Sequence, residues 1–237
     1  MAEKANQIKR ALVSVSNKKD IEDFCSVLVK DFGIEILSTG GTLKSLIEKG
    51  IPATEVSQYT EFPEIMNGRV KTLHPKIHGG ILSRRKVDKE VMEENNILPI
   101  DLVIVNLYPF LETISKNDFT QEEAIENIDI GGPSMIRSAA KNNKFVGVVV
   151  NPDDYPLVLE EMKINEGALS QKMRSSLATK AFNHTANYDT IISGYLSHLY
   201  EDDFPDRIFA KFQRKEIMRY GENPHQKAAL YIDNTKQ

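Results

Sequence analysis

The stretch Ala11 to Ser16 (ALVSVS) is a short apolar, β-branched run and predicts a buried strand. Behind it, Ile21, Phe24, Cys25, Leu28, Val29 and Phe32 recur at three- and four-residue spacing. That spacing predicts an amphipathic helix, with Asn17 placed to cap it and Gly33 to close it. The pattern then repeats in kind: Ile34 to Ser38 reads as a strand, Thr39-Gly40-Gly41-Thr42 as a turn, and Leu43 to Lys49 as a helix ended by Gly50. Two βα units in succession imply a parallel sheet with right-handed crossovers. Asp101 to Leu107 and Phe145 to Val150 are continuously apolar, as central parallel strands tend to be. Gln121 to Ile128, Pro133 to Lys141, Asp153 to Lys163 and Leu169 to about Tyr200 suit helices. The expected fold class is therefore α/β, a parallel sheet flanked by helices on both faces. Residues 57–86 carry weak periodicity and many turn residues, and read as a long, ordered, functional loop region with one short helical piece. After Glu201 an acidic EDDFPD is followed by a basic, aromatic stretch. The expected organisation is a domain over 1–200, then a linker and the opening strand of a further unit over 201–237.

Composition narrows the class of partner. Of 237 residues, 41% are hydrophobic and 27% charged, enough apolar material for a core and too little charge bias for disorder. Thirty Lys and Arg against 34 Asp and Glu leave a net charge of −4, which argues against a nucleic-acid partner. Any anionic ligand must be met locally. The single cysteine, Cys25, excludes an intrachain disulfide and a thiolate cluster, and reads as a buried small hydrophobe. No run of about 18 apolar residues appears, and the N-terminus has no apolar stretch behind its charges, so no membrane partner and a cytoplasmic location are expected.

In open α/β sheets ligands bind outside the carboxyl ends of the strands. That rule selects Ser14, Ser16, Asn17 and Lys18, then Thr39, Gly40, Gly41 and Thr42, then Asn106, Leu107 and Tyr108. Glycines let a backbone approach a phosphate closely, and a helix N-terminus favours its charge. Each turn alone is also compatible with simple punctuation. From Ile65 to Val87 there is no acidic residue, yet Arg69, Lys71, Lys76, Arg84, Arg85 and Lys86 all lie there. Such a window concentrates positive potential. Arg84 to Lys86 read as a solvated loop face, whereas Arg69-Val70-Lys71-Thr72 reads as binding. His74 and His78 have i, i+4 spacing, but Pro75 follows directly, Gly79-Gly80 is expected to interrupt any helix, and the motif glutamate is missing, so no metal site is expected. His184 and His198 read as packing or surface residues. A second acid-free window, Gly131 to Pro152, holds Arg137, Lys141 and Lys144 behind Asp129. Two helical turns on, Lys141 is expected to approach Asp129 as an acid/base pair, the alternative being an ordinary salt bridge.

Six segments carry a family likeness: SVSNK (14–18), STGGT (38–42), FPEIMNGRVKTLHPKIHGGIL (62–82), NLYPF (106–110), DIGGPSMIRSAAKN (129–142) and RYGENPHQ (219–226). In one collinear order across residues 10–231, they resemble the family of bifunctional purine-biosynthesis proteins. Their N-terminal part is inosine monophosphate (IMP) cyclohydrolase and their C-terminal part a transformylase. The resemblance implies a methylglyoxal-synthase-like fold and the last step of purine synthesis, dehydrative ring closure of 5-formamidoimidazole-4-carboxamide ribonucleotide (FAICAR) to IMP. It implies nucleotide contacts from Ser14, Ser16, Asn17, Lys18, Thr39, Gly40, Gly41, Thr42, Arg69, Val70, Lys71, Thr72, Val105, Asn106, Asp129, Ile130 and Gly131. It also implies an acid/base lysine at Lys141, with Lys71, Tyr108 and Asp129 nearby. On this reading Lys71 and Thr72 anchor the nucleotide, Tyr108 stabilises the oxyanion, and Asp129 and Lys141 relay the proton. No cofactor is implied for the cyclohydrolase; 10-formyltetrahydrofolate belongs to the transformylase half, of which Arg219 and Tyr220 match substrate contacts. Residues 201–237 then correspond to a linker and the truncated start of that half, no formyl transfer is expected from this length of chain, and a homodimer is compatible with the pattern. Two rivals of the same fold remain open, a methylglyoxal synthase-like lyase and a non-catalytic nucleotide-binding regulatory domain.

Overall fold

The computed structural model describes residues 7–200, 204–223 and 225–233. The charged N-terminus before residue 7, residues 201–203 of the expected linker and Pro224 of the RYGENPHQ segment lie outside the described residues. The chain divides into two compact units, Met1–Thr185 and Ala186–Gln237, with the boundary inside one helix.

In the first unit the order is β1 (Arg10–Val15), α1 (Ile21–Phe32), β2 (Glu35–Ser38), α2 (Gly40–Glu48), β3 (Thr54–Glu55) and α3 (Val56–Thr60). A 3-10 turn (Met66–Gly68), α4 (Pro75–Leu82), α5 (Lys89–Glu94), β4 (Leu102–Asn106), α6 (Phe110–Ile114) and α7 (Gln121–Glu126) follow. The unit continues with α8 (Gly131–Lys141), β5 (Gly147–Val149), α9 (Tyr155–Ile164) and the first half of α10 (Gln171–Tyr200). All five strands pair in parallel, in the order β3-β2-β1-β4-β5. The strands are apolar throughout because both sheet faces are covered. Ala11, Val13 and Val15 of β1 join Phe24, Leu28, Leu102 and Ile104 in one core, with α1 and α9 packed on it. The period of two sends Leu12, Leu37, Val103 and Val105, also buried, to the opposite face. There α8 packs on β4 and α4, with Ile77, Ile81, Ile136 and Ala139 fully buried. Cys25 is buried in the first core, and its thiol is pushed up to about 12 by that burial, so it acts as a packing residue.

Several expectations change in detail. Asn17 does not cap α1; the cap position falls to Asp20, left-handed at φ 57° with no side-chain bond, while Asn17 Oδ1 turns back to the Lys19 N–H at 3.0 Å. Thr39 to Thr42 is no separate turn, because α2 starts at Gly40 with Thr39 as its cap residue. Residues 57–86 hold more regular structure than one helical piece, namely the end of α3, a 3-10 turn and the two-turn helix α4. Gly79 and Gly80 lie inside α4 rather than breaking it. A Cβ on Gly79 would meet Ile97 Cδ1 at 2.9 Å, and one on Gly80 would meet the Leu98 carbonyl oxygen at 2.6 Å. These glycines permit close packing, which single-sequence pattern cannot distinguish from termination. Arg85, expected on a solvated face, is largely buried: it donates to the carbonyls of Gly80 (3.0 Å) and Ile100 (2.6 Å) and pairs with Asp101 at 3.2 Å. The other Asp101 oxygen accepts the N–H groups of Lys9 and Arg10, so this pair fastens the start of β1.

The second unit carries the end of α10 and an antiparallel pair, β6 (Gln213–Ile217) and β7 (Ala229–Ile232), with a register irregularity between Arg214 and Glu216. One opening strand was expected, and two are present. Among the described residues no helix is long and apolar enough to cross a membrane.

The glycine contacts give a stability test. Gly80→Ala should lower the unfolding free energy by about 1–3 kcal/mol through overpacking against a carbonyl that cannot move freely. Gly194→Ala, in α10 where a Cβ meets nothing within 4 Å, should be neutral or stabilising by up to about 1 kcal/mol. Urea denaturation of both variants measures the contrast.

Candidate functional site

The chain builds β1, β2 and β3 outward to one side and then returns to the other side of β1 with β4. That reversal places a topological switch point between the carboxyl ends of β1 and β4, where a crevice must open. Asn106, the last residue of β4, fixes the crevice wall. Its Oδ1 accepts the N–H groups of Ser16 (2.7 Å) and Asn17 (2.8 Å), and its Nδ2 donates to the Asn17 carbonyl at 3.0 Å. Thr42 does the same for α2: its buried hydroxyl accepts from the Val15 N–H and donates to the Val15 carbonyl, each at 3.0 Å. Both side chains are thus committed to shaping the backbone.

These two clamps bring three positive elements together. Lys18 Nζ lies 3.3 Å from the point where a Cβ of Gly41 would stand, and Lys71 Nζ lies 4.0 Å from the equivalent point on Gly40. Thr39 makes no side-chain capping bond, so the first-turn N–H groups of α2 are not taken up by their own cap. A helix N-terminus with bare glycines and two ammonium groups above it is suited to an anion.

The other wall comes from the segments before α6 and α8. Asp129 Oδ1 accepts the Gly132 N–H at 2.8 Å, and the carboxylate also accepts the Tyr108 N–H. Burial pushes the Asp129 carboxyl up from its ordinary value, and only in part is this opposed by the two N–H groups and the Lys71 charge. Thr72 is buried, and a Cβ on Gly131 would stand 2.7 Å from Thr72 Oγ1, so the two segments approach closely there. Tyr108 is 48% exposed at the rim.

The open cleft measures about 920 Å³, within the range of small-molecule pockets. Ser14, Ser16, Lys18, Thr39, Gly40, Gly41 and Thr42 line one side, and Arg69, Val70, Lys71 and Thr72 another. Val105, Asn106, Tyr108, Asp129, Ile130 and Gly131 complete the match with the sequence-based set. Asn17 is not in the lining; its backbone is held by Asn106. Lys141 departs from expectation. It is the exposed last residue of α8, whose 11 residues at about 1.5 Å each put it about 15 Å from the end where Asp129 sits. The helix carries Lys141 away from Asp129, so a direct relay between them within one chain is excluded by that distance.

The acid-free window is also less positive than its sequence implies. Carboxylates from outside it reach in: Glu126 to Arg69, Glu64 to Lys71 (3.3 Å), Glu61 to Lys76 (2.6 Å), Asp88 to Arg84 (2.6 Å) and Asp101 to Arg85. Glu126, Gly68 and Gly132 line or shape the cleft and were missed by sequence reasoning. Gly132 carried a signal, since it is the second glycine of DIGG, and a Cβ there would collide with Asp129 and Leu107. The two histidines are engaged in the fold. His74 Nδ1 accepts the Lys76 N–H at 3.1 Å and caps α4, while His78 Nδ1 lies 3.1 Å from Ser138 Oγ. Burial pushes the pKa values of His78 and His184 down. Arg137 stacks on Phe182 and Lys144 on Phe145, both as packing contacts. Arg219 and Tyr220 are exposed residues that follow β6 in the second unit.

Residues 20–134 match the MGS-like domain family, and residues 139–237 match the AICARFT/IMPCHase bienzyme family. Among solved structures, the crystal structure of ForH aligns with a TM-score of 0.69 at 33% identity, over 78% of this chain and 97% of that one. The five-stranded parallel sheet with its helices is an MGS-like domain. The chain belongs to the AICARFT/IMPCHase bienzyme family of purine biosynthesis.

Asn106→Ala should remove all three clamp bonds and strand two backbone N–H groups. We expect a loss of about 2–3 kcal/mol in urea unfolding, together with weakened binding of orthophosphate at the cleft in calorimetry.

Proposed function

We propose that the chain is an IMP cyclohydrolase, closing FAICAR to IMP with loss of water. The observation that carries this reading is the convergence of Lys18 and Lys71 on Gly40 and Gly41 at the start of α2, with Asp129 and Tyr108 on the opposite wall of one cleft. The first group suits the ribonucleotide phosphate, and the second suits a reaction at the base. Membership of the bienzyme family supports the same assignment.

On this reading the phosphate sits against the α2 amides and the two lysines. The base then extends towards Tyr108 and Asp129. Nucleophile and electrophile belong to one molecule, so holding the carboxamide nitrogen against the formyl carbon supplies much of the acceleration. As the C–N bond forms, the formyl oxygen gains negative charge, which the Tyr108 hydroxyl stabilises by donation. The attacking nitrogen must lose a proton and the former formyl oxygen must leave as water. Asp129, with its carboxyl pushed up by burial, takes that proton and gives it to the former formyl oxygen, making a hydroxyl; it then takes the proton of the formamido nitrogen and passes it to that hydroxyl, which leaves as water while the ring C=N bond forms. The purine ring double bond completes the balance.

The test is a direct absorbance assay of FAICAR turnover. Asp129→Asn and Tyr108→Phe should each lower kcat by about a hundredfold or more with smaller effects on KM. Lys18→Ala should mainly raise KM, as expected for a phosphate anchor. Absence of turnover in the unmodified chain, with IMP still bound, would move the assignment to a non-catalytic nucleotide-binding module.

A further inference from the structure

The segment between α3 and Thr72 has an unusual backbone. Glu61, Met66, Asn67 and Gly68 all have left-handed φ, at 58°, 55°, 52° and 88°. A methionine in that region is costly, and such outliers persist where the surrounding structure uses them. The loop is pinned by a bridge between Ile65 and Val70, with N–H to carbonyl distances of 3.1 and 3.4 Å. What the bend achieves is the placement of Glu64. Its carboxylate lies 3.3 Å from Lys71 Nζ, the same ammonium that faces Gly40 at the head of α2. Gly68 provides the passage: a Cβ there would stand 2.6 Å from Glu64 Oε1 and 3.2 Å from Lys71 Nζ. Any side chain at position 68 would push the pair apart.

We propose that Glu64 is a built-in competitor for the ligand's phosphate at Lys71. The proposal rests on the phosphate reading of the α2 terminus given above. In the free cleft the tethered carboxylate holds the Lys71 charge. An arriving carboxylate or other monoanion offers Lys71 nothing that Glu64 does not already give, and it lacks the advantage of being tethered. A phosphate monoester brings up to two charges and three acceptor oxygens, and it also engages Lys18 and the α2 amides. Glu64 therefore sets a threshold that phosphate monoesters pass and simple monoanions do not. It acts on ground state and transition state alike, because the phosphate does not react, so its effect belongs in KM.

Calorimetric titration of the unmodified chain and of Glu64→Gln with orthophosphate, IMP and acetate tests this. Lys71 is 26% and Glu64 42% exposed, so a near-aqueous dielectric applies to the pair. Removing one negative charge from about 6 Å of a dianion then tightens binding about tenfold. We expect that gain for orthophosphate and IMP, measurable acetate binding only in Glu64→Gln, and loss of the gain in Glu64→Gln/Lys71→Ala. A damaged loop would weaken binding, so a gain is not a folding artefact. Equal or weaker binding by Glu64→Gln, where the unmodified chain binds phosphate, overturns the role of Glu64 and leaves the phosphate reading standing. Failure of the unmodified chain to bind either phosphate or IMP overturns both.

Discussion

The cleft depends on the clamp between β4 and the turn after β1. Asn106 commits Oδ1 and Nδ2 to the backbone of Ser16 and Asn17, and without it the crevice at the switch point would be a loose loop. Thr42 supplies the matching constraint between α2 and the last residue of β1. The consequence is a division of labour among polar residues that the sequence presents as one class. Asn106 and Thr42 hold the backbone, while Lys18 and the α2 amides face the cleft and Lys71 faces it already paired with Glu64. An anion site made in this way is preorganised, since the groups that position it are buried and satisfied by one another.

Charge in the cleft is managed by pairing. A chain of net charge −4 that gathers six cations between Ile65 and Val87 does not expose six cations. Glu61, Glu64, Asp88, Asp101 and Glu126 pair with five of them from neighbouring segments. Arg85 shows how different the outcomes can be within one tripeptide: Arg84 pairs with Asp88 on the surface, whereas Arg85 is drawn inward to two carbonyls and Asp101. The positive potential that remains is set by the placement of Lys18 at the head of α2, with that of Lys71 shared with Glu64, not by the density of basic residues along the chain.

The parallel sheet was legible because its strands are apolar on both faces and its first two helices obey the 3.6-residue period. The short elements β3, α5 and α6 carry too few residues for any period to register. Most of the cleft lining was legible as well, from the rule that ligands meet the carboxyl ends of strands and from the resemblance of six motifs. What escaped was of two kinds. Interior glycines such as Gly79 and Gly80 look like breakers in a sequence and act as packing contacts in the structure. Long-range carboxylate partners have no local signature at all. Lys141 illustrates a third case, where a correct helix assignment carried the wrong spatial consequence. Asp129 at one end and Lys141 at the other separate because a straight helix has length.

Asp129 joins the structural and chemical halves of the site. Its carboxylate secures the start of α8 through Gly132 and the loop before α6 through Tyr108. Those bonds favour the ionised form, yet burial outweighs them and the carboxyl value is raised. A raised folded value means that the folded state holds this proton more tightly than the unfolded chain. The group's contribution to stability is then full below the ordinary carboxyl range and is lost as the pH rises through the raised value. At neutral pH the ionised group is therefore a net cost to the fold. A carboxylate at such a position, facing the cleft beside Tyr108, is what the proposed proton transfer requires.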